Sequence, residues 1–148
     1  MFSFTPDIIK LRYNKDIDGL IKALNYKIHS NNYKHTNIRS LAAEALSELG
    51  HFSAIELICN LTMRNKLSQS YGASSIIRLY FKCDKDNKQV YRDCLLDLIN
   101  FVDLENVNYH KLIIIAIELG QQSEDILISK LKNIKDSFSI ENQCCPVN

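Results

Sequence analysis

Tryptophan is missing from the 148 residues, and glycine and proline are scarce, with four and two copies. Both prolines, Pro6 and Pro146, lie near the ends, so the interior is free of the strongest helix breakers. An excess of charge of one sign is lacking too: 18 Lys and Arg stand against 17 Asp and Glu, a net charge of +1. A sequence-independent grip on nucleic acid, which needs unbalanced cations, is therefore not expected. Cys59, Cys83, Cys94, Cys144 and Cys145 contain no Cys-x-x-Cys pair, which argues against a zinc site, a redox motif or a disulfide framework. The longest apolar run, Leu112 to Ile117, is far shorter than a bilayer span, and Met1 to Pro6 has neither the basic segment nor the apolar run of a secretory signal. The expectation is a cytoplasmic chain without a membrane segment.

What is present is periodicity. Apolar residues recur at helical spacing in Ile17, Leu20, Ile21 and Leu24, in Ile38, Leu41, Ala42, Ala45, Leu46 and Leu49, and in Ala54, Leu57, Ile58 and Leu61. The pattern continues through Ile76, Ile77, Tyr80 and Phe81, then Leu95, Leu96, Ile99 and Val102, then Leu112, Ile115, Ala116 and Leu119, then Leu127, Ile128 and Leu131. The β-branched run Ile113 to Ile115 is the one place where a buried strand competes, and its stripe extends beyond strand length. The chain reads as all-α. Thr5 before Pro6, Asp16, Thr36, Ser53 and Ser123 are candidate helix caps, Ser53 to Glu56 reads as a capping box, and Gly50 and Gly120 stand where a left-handed residue closes a helix.

The pattern also repeats. Glu48-Leu49-Gly50 recurs 70 residues later as Glu118-Leu119-Gly120, and Gly72 to Leu79 lies under Ala42 to Leu49 as a middle copy. Second helices share one template, Leu20, Ile21, Leu24, then Leu57, Ile58, Leu61, then Leu95, Leu96, Ile99, then Leu127, Ile128, Leu131. A lone helix pair cannot bury both faces, so the expected architecture is an α-solenoid of about four stacked hairpins, with an incomplete first pair and a polar last helix as caps. One domain over residues 1–136 is expected, with 137–148 as a flexible tail carrying the exposed thiols Cys144 and Cys145.

Asn37 to Gly50, followed by Ala54 and Leu57, resembles a HEAT repeat of the short kind found in phycobilisome-lyase-type proteins, and Asp16 to Leu24 is similar to the helix ending the preceding repeat. The likeness is strongest over Asp16 to Leu61, with weaker copies to about Lys132. It implies a HEAT-like, armadillo-like solenoid that binds a protein partner. The family-specific alternative is a subunit of a bilin lyase, and a narrower version of the binding role is an inhibitor or immunity-like protein that occludes its partner. HEAT-type deoxyhypusine hydroxylases are similar in fold but hold iron with His-Glu pairs. Here the histidines are followed otherwise, as His29-Ser30, His35-Thr36, His51-Phe52 and His110-Lys111.

No metal, cofactor or catalytic set is therefore assigned. Cys59 and Cys94 stand inside apolar helical stretches, where a thiol is a small hydrophobe, and Glu44, Glu48, Asp93 and Asp97 read as solvated charges. Cys145 to Asn148 departs from a prenylation box by its proline and terminal asparagine. Residues 1–40 hold seven basic against three acidic residues, an imbalance that suits steering of an acidic protein. Helical geometry turns positions one or two residues off the second-helix stripe toward a concave side. Lys22, Asn25, Asp97 and Lys132 are thus the candidate partner-binding face of a non-catalytic scaffold.

Overall fold

The computed structural model of the chain describes residues 4–84, 86, 88, 91–103 and 109–141, and every apolar stripe becomes helix. Among the described residues there are eight α-helices and no strand: α1 (Ile8–Tyr13), α2 (Ile17–Leu24), α3 (Tyr33–Glu48), α4 (Ile55–Met63), α5 (Gln69–Lys82), α6 (Arg92–Phe101), α7 (Tyr109–Leu119) and α8 (Gln121–Glu141). Ile113 to Ile115 lies within α7. The boundary expected at residue 136 falls inside α8, which continues through Glu141; Cys144 and Cys145 lie outside the described residues.

Helix ends follow local chemistry, and several differ from the expected caps. Asp16 accepts from Gly19 N at 2.8 Å as expected. Asp7, not Thr5, caps α1 by accepting from Lys10 N, and Asn32 caps α3 one turn ahead of Thr36. Ser53 forms no capping box, because Phe52–Ala54 winds as a 3-10 turn and the Ser53 hydroxyl sits 2.7 Å from His51 Nε2. Ser123 lies inside α8, where its Oγ bonds back to the Gly120 and Ala116 carbonyls across the α7–α8 junction.

Gly50 and Gly120 have positive φ, as their positions demand. At Gly50 the chain closes α3 with paired bonds from Gly50 N to Ser47 O and from His51 N to Leu46 O. The same paired closure occurs at Lys15 after α1 and at Asn65 after α4, both in the left-handed region.

The closely packed pairs link each helix mainly to the next or the next but one: α1 with α2 and α3, α2 with α3, α3 with α5, α4 with α5 and α6, α6 with α7 and α8, and α7 with α8. Lysines reinforce this neighbour packing. Lys82 Nζ donates to the Ser47 and Glu48 carbonyls that end α3, and Lys130 Nζ donates to Val102 O at the end of α6. A cation there satisfies orphan carbonyls and opposes the negative end of the helix.

Small residues set the closest approaches. Gly72 on α5 faces Thr62 on α4, and a Cβ there would collide with the threonine Oγ1, Cγ2 and Cβ. Gly72→Ala is expected to destabilise the fold by about 1–3 kcal/mol despite the better helix propensity of alanine. Urea unfolding checks this, and adding Thr62→Ser, which removes only the methyl, should recover only part of the loss.

α8, expected as a polar last helix, exposes Asp125, Ser129, Lys132 and Lys135, and two apolar residues beside them. In the first three copies of the second-helix template, Leu24, Leu61 and Ile99 are buried, whereas Leu131 in the fourth is 38% exposed and Ile128 is 48% exposed. Ile117 on α7 is 60% exposed beside them. Among the described residues, α7 and α8 thus share an exposed apolar strip.

Candidate functional site

A groove opens between α5 and α7. α1 packs on α3 and α3 on α5, but α5 and α7 are not among the closely packed pairs. Between them lies a cavity of about 570 Å³ lined by Ser74, Ile77, Arg78, Phe81, Lys82, Lys111 and Ile114, within the roughly 300–1,000 Å³ of ordinary binding pockets. Phe81 and Ile114 remain 42% and 48% exposed, so the groove offers apolar surface to a ligand. Its cations come from both walls.

Two of these cations are held in place. Arg78 Nη1 donates to Ser47 Oγ at 3.2 Å and lies 3.7 Å from Glu48, which also pairs with Arg12 at 3.0 Å. Lys82 is anchored on the end of α3 as described. Lys111 projects from α7 as an exposed side chain. The groove therefore has a rigid basic wall, a second basic wall on α7, and apolar residues between.

Glu118 ties α7 to α5 outside the groove lining. Its carboxylate accepts from the buried Tyr80 hydroxyl at 2.7 Å and pairs with Lys88 at 3.2 Å, while Lys88 stacks 4.5 Å over the Tyr80 ring. The hydrogen bond from Tyr80 holds the Glu118 carboxyl below its ordinary pKa, and burial together with that carboxylate pushes the Tyr80 phenol up. Glu48 and Glu118, which recur in the sequence, thus occupy matching places near the ends of α3 and α7, Glu48 tied to Arg12 of α1 and Arg78 of α5 and Glu118 to Tyr80 of α5 and to Lys88.

The four residues of the expected face are all exposed: Lys22 on α2, Asn25 at its end, Asp97 on α6 and Lys132 on α8. Asn25 Nδ2 donates to its own helix at Ile21 O. Asp97 and Lys132 stand on packed neighbours, α6 and α8, whose 450 Å³ groove is lined by Asn100, Asp125, Ile126, Ser129, Lys130 and Asn133 and by neither of the two. Lys22 and Asn25 lie on α2, whose close neighbours are α1 and α3. The contacts do not gather the four into one cluster.

Residues weighed for chemistry have structural roles. Cys59 Sγ donates to Cys94 O at 3.1 Å between α4 and α6. The hydrogen bond with Cys59, then burial, pushes the Cys94 thiol well above its usual pKa, which disfavours the nucleophilic thiolate. His35 Nδ1 lies 2.8 Å from Ser30 Oγ, its ring edge against Tyr26. Among the described residues no group of three His, Cys, Asp or Glu side chains is arranged to hold a metal ion.

Arg39 is the residue that the apolar stripes pass over. It is wholly buried on α3, and its five contacts are with uncharged oxygens: Nε donates to Lys66 O, Nη1 to Tyr26 O and Lys27 O, and Nη2 to Ser30 O and Thr36 Oγ1. The guanidinium supplies donors to carbonyls of two irregular links, which have no ladder of their own. Its position was readable, since Arg39 precedes the buried Ala42, Ala43 and Leu46 by three, four and seven residues.

Compared with protein-family models, with curated proteins and with solved structures, the chain matches none.

Proposed function

We propose that the chain is a non-catalytic protein-binding scaffold, an α-solenoid of four HEAT-like hairpins (α1–α2, α3–α4, α5–α6, α7–α8). Close packing mainly between helices near in sequence, such as α1 on α2, α3 on α5, α4 on α6 and α7 on α8, the shared second-helix template and the likeness of Asn37 to Gly50 to a short HEAT repeat support the architecture. The groove between α5 and α7 carries the functional reading. Its apolar strip of Ile77, Phe81 and Ile114, flanked by Arg78, Lys82 and Lys111, fits an amphipathic helix whose apolar anchors are bordered by acidic residues.

This reading moves the contact surface from the second helices to the first. Two baits separate the alternatives: Phe81→Ser with Lys111→Glu alters the groove, and Lys22→Glu with Asp97→Lys alters the originally expected face. All four positions are exposed, so helicity and melting should stay near wild type, which circular dichroism checks. A protein captured by wild type is expected to be retained by the second bait and reduced about tenfold or more by the first. The opposite pattern restores the second-helix face, and a partner unaffected by either bait overturns both placements.

A further inference from the structure

We propose that the pocket at the α2–α3 link binds a nucleoside phosphate, with the base against the tyrosine rings and the phosphate on Lys27 and Lys34. The pocket measures about 390 Å³; Tyr26, Lys27, Tyr33, Lys34 and His35 line it, and no carboxylate does.

The charge is argued from the acids that are missing. Lys22, Lys27, Lys34 and Arg39 stand between Asp18 and Glu44 with no acidic residue among them. Among the described residues neither Lys27 nor Lys34 pairs with a carboxylate, and the Lys27 ammonium stands 5.5 Å from the centre of the Tyr26 ring. Behind the pocket lies the wholly buried Arg39, whose Nη1 donates to the Tyr26 and Lys27 carbonyls, so its charge is offset by dipoles alone. His35 registers the field: burial, then Lys27 and Arg39, hold it below its ordinary pKa. An anion placed here meets cations that no acid has neutralised.

Size and rings choose the kind of anion. A water molecule occupies about 30 Å³, so an inorganic phosphate, the size of a few waters, leaves most of the pocket unfilled. Tyr33 is 80% exposed, and Tyr26 stands edge-on to His35 with ring centroids 5.5 Å apart. Ring surface thus lies beside the cations, and every nucleobase has a π-face to stack on it. A strand of nucleic acid would need cations continuing past the pocket, whereas the remaining lining residues, Thr5, Asn37 and Ile38, are uncharged.

Titrated into the full chain at low ionic strength and followed by NMR, AMP is expected to bind with a Kd of about 0.1 mM. Adenosine and inorganic phosphate, each lacking half of the contacts, should bind roughly tenfold more weakly or worse. Lys27→Gln with Lys34→Gln should weaken AMP roughly tenfold, and Tyr33→Ala about fivefold, the scale of one lost stack. Lys111→Gln with Lys132→Gln removes the same charge from exposed positions on α7 and α8 and should leave the Kd within about twofold. Circular dichroism verifies the fold of each variant. Absence of AMP binding at about 5 mM overturns the proposal, as does an affinity that the pocket variants leave unmoved or that the control pair lowers equally. Inorganic phosphate binding as tightly as AMP overturns the part given to the rings. Octathymidylate or O-phosphotyrosine binding tenfold tighter than AMP overturns the choice of ligand in favour of a single strand or a phosphopeptide.

Discussion

Replacing Arg39 with alanine is expected to lower stability by about 4 kcal/mol or more, since each buried acceptor left without a donor costs about 1–3 kcal/mol. The carbonyls of Tyr26, Lys27, Ser30 and Lys66 lose the guanidinium at once, and of these Lys27 O keeps a bond from Ser30 N. The link between α2 and α3 and the link between α4 and α5 would lose the side chain that joins them. Burial lowers the Arg39 pKa, yet an arginine remains charged at every pH of interest, so the cation is balanced by carbonyl dipoles. Arg39→Lys retains the charge but gathers three donors on one nitrogen, which cannot reach both links together, so it should lose a substantial part of the same stability. Urea unfolding measures both. Hydrogen exchange should show the amides around Tyr26 to Ser30 losing protection first. An alanine variant with an unchanged unfolding midpoint would remove Arg39 from its assigned role.

The helices were legible because burial on one side imposes a 3.6-residue period, and that period survives even through the β-branched residues of α7. Their closures were partly legible. Gly50 and Gly120 declare a left-handed residue by lacking Cβ, whereas Lys15 and Asn65 adopt the same conformation at the ends of α1 and α4 with side chains in place. Arg39 was hidden by type rather than by position, since a stripe defined by apolar residues omits a charged group whose burial is made tolerable by five acceptors.

The surfaces were the least legible part, for a physical reason. Leu61, Ile99 and Leu131 share one template, and nothing in their local sequence distinguishes two buried residues from one that is 38% exposed. Exposure depends on what packs against each helix in space. The α5–α7 groove has the same origin: Arg78, Lys82 and Lys111 converge because two helices fail to pack closely, a distance that residue spacing does not encode. Charge offset from the second-helix stripe was readable at Lys22, Asn25, Asp97 and Lys132, but offset alone does not create a concave site.

The other large effect is expected from Ala45→Asp. Ala45 is 1% exposed on α3, the helix that packs against α1, α2 and α5, and Ala42, Ala43 and Leu46 beside it are fully buried. An aspartate there must either bury a carboxylate with no donor positioned to meet it or force α3 away from its neighbours. Either course costs several kcal/mol, against a total stability of about 5–15 kcal/mol for a domain. Because α3 lies at the centre of the first half of the chain, loss of its seat should remove the cooperative unfolding transition rather than loosen one edge. Glu48→Ala on the same helix is the matching control: it breaks exposed pairs with Arg12 and Arg78 and should change stability by no more than about 1 kcal/mol. Circular dichroism with thermal melting distinguishes the two. If Ala45→Asp melted with the wild-type midpoint and cooperativity, the close contact assigned to this face of α3 would be wrong.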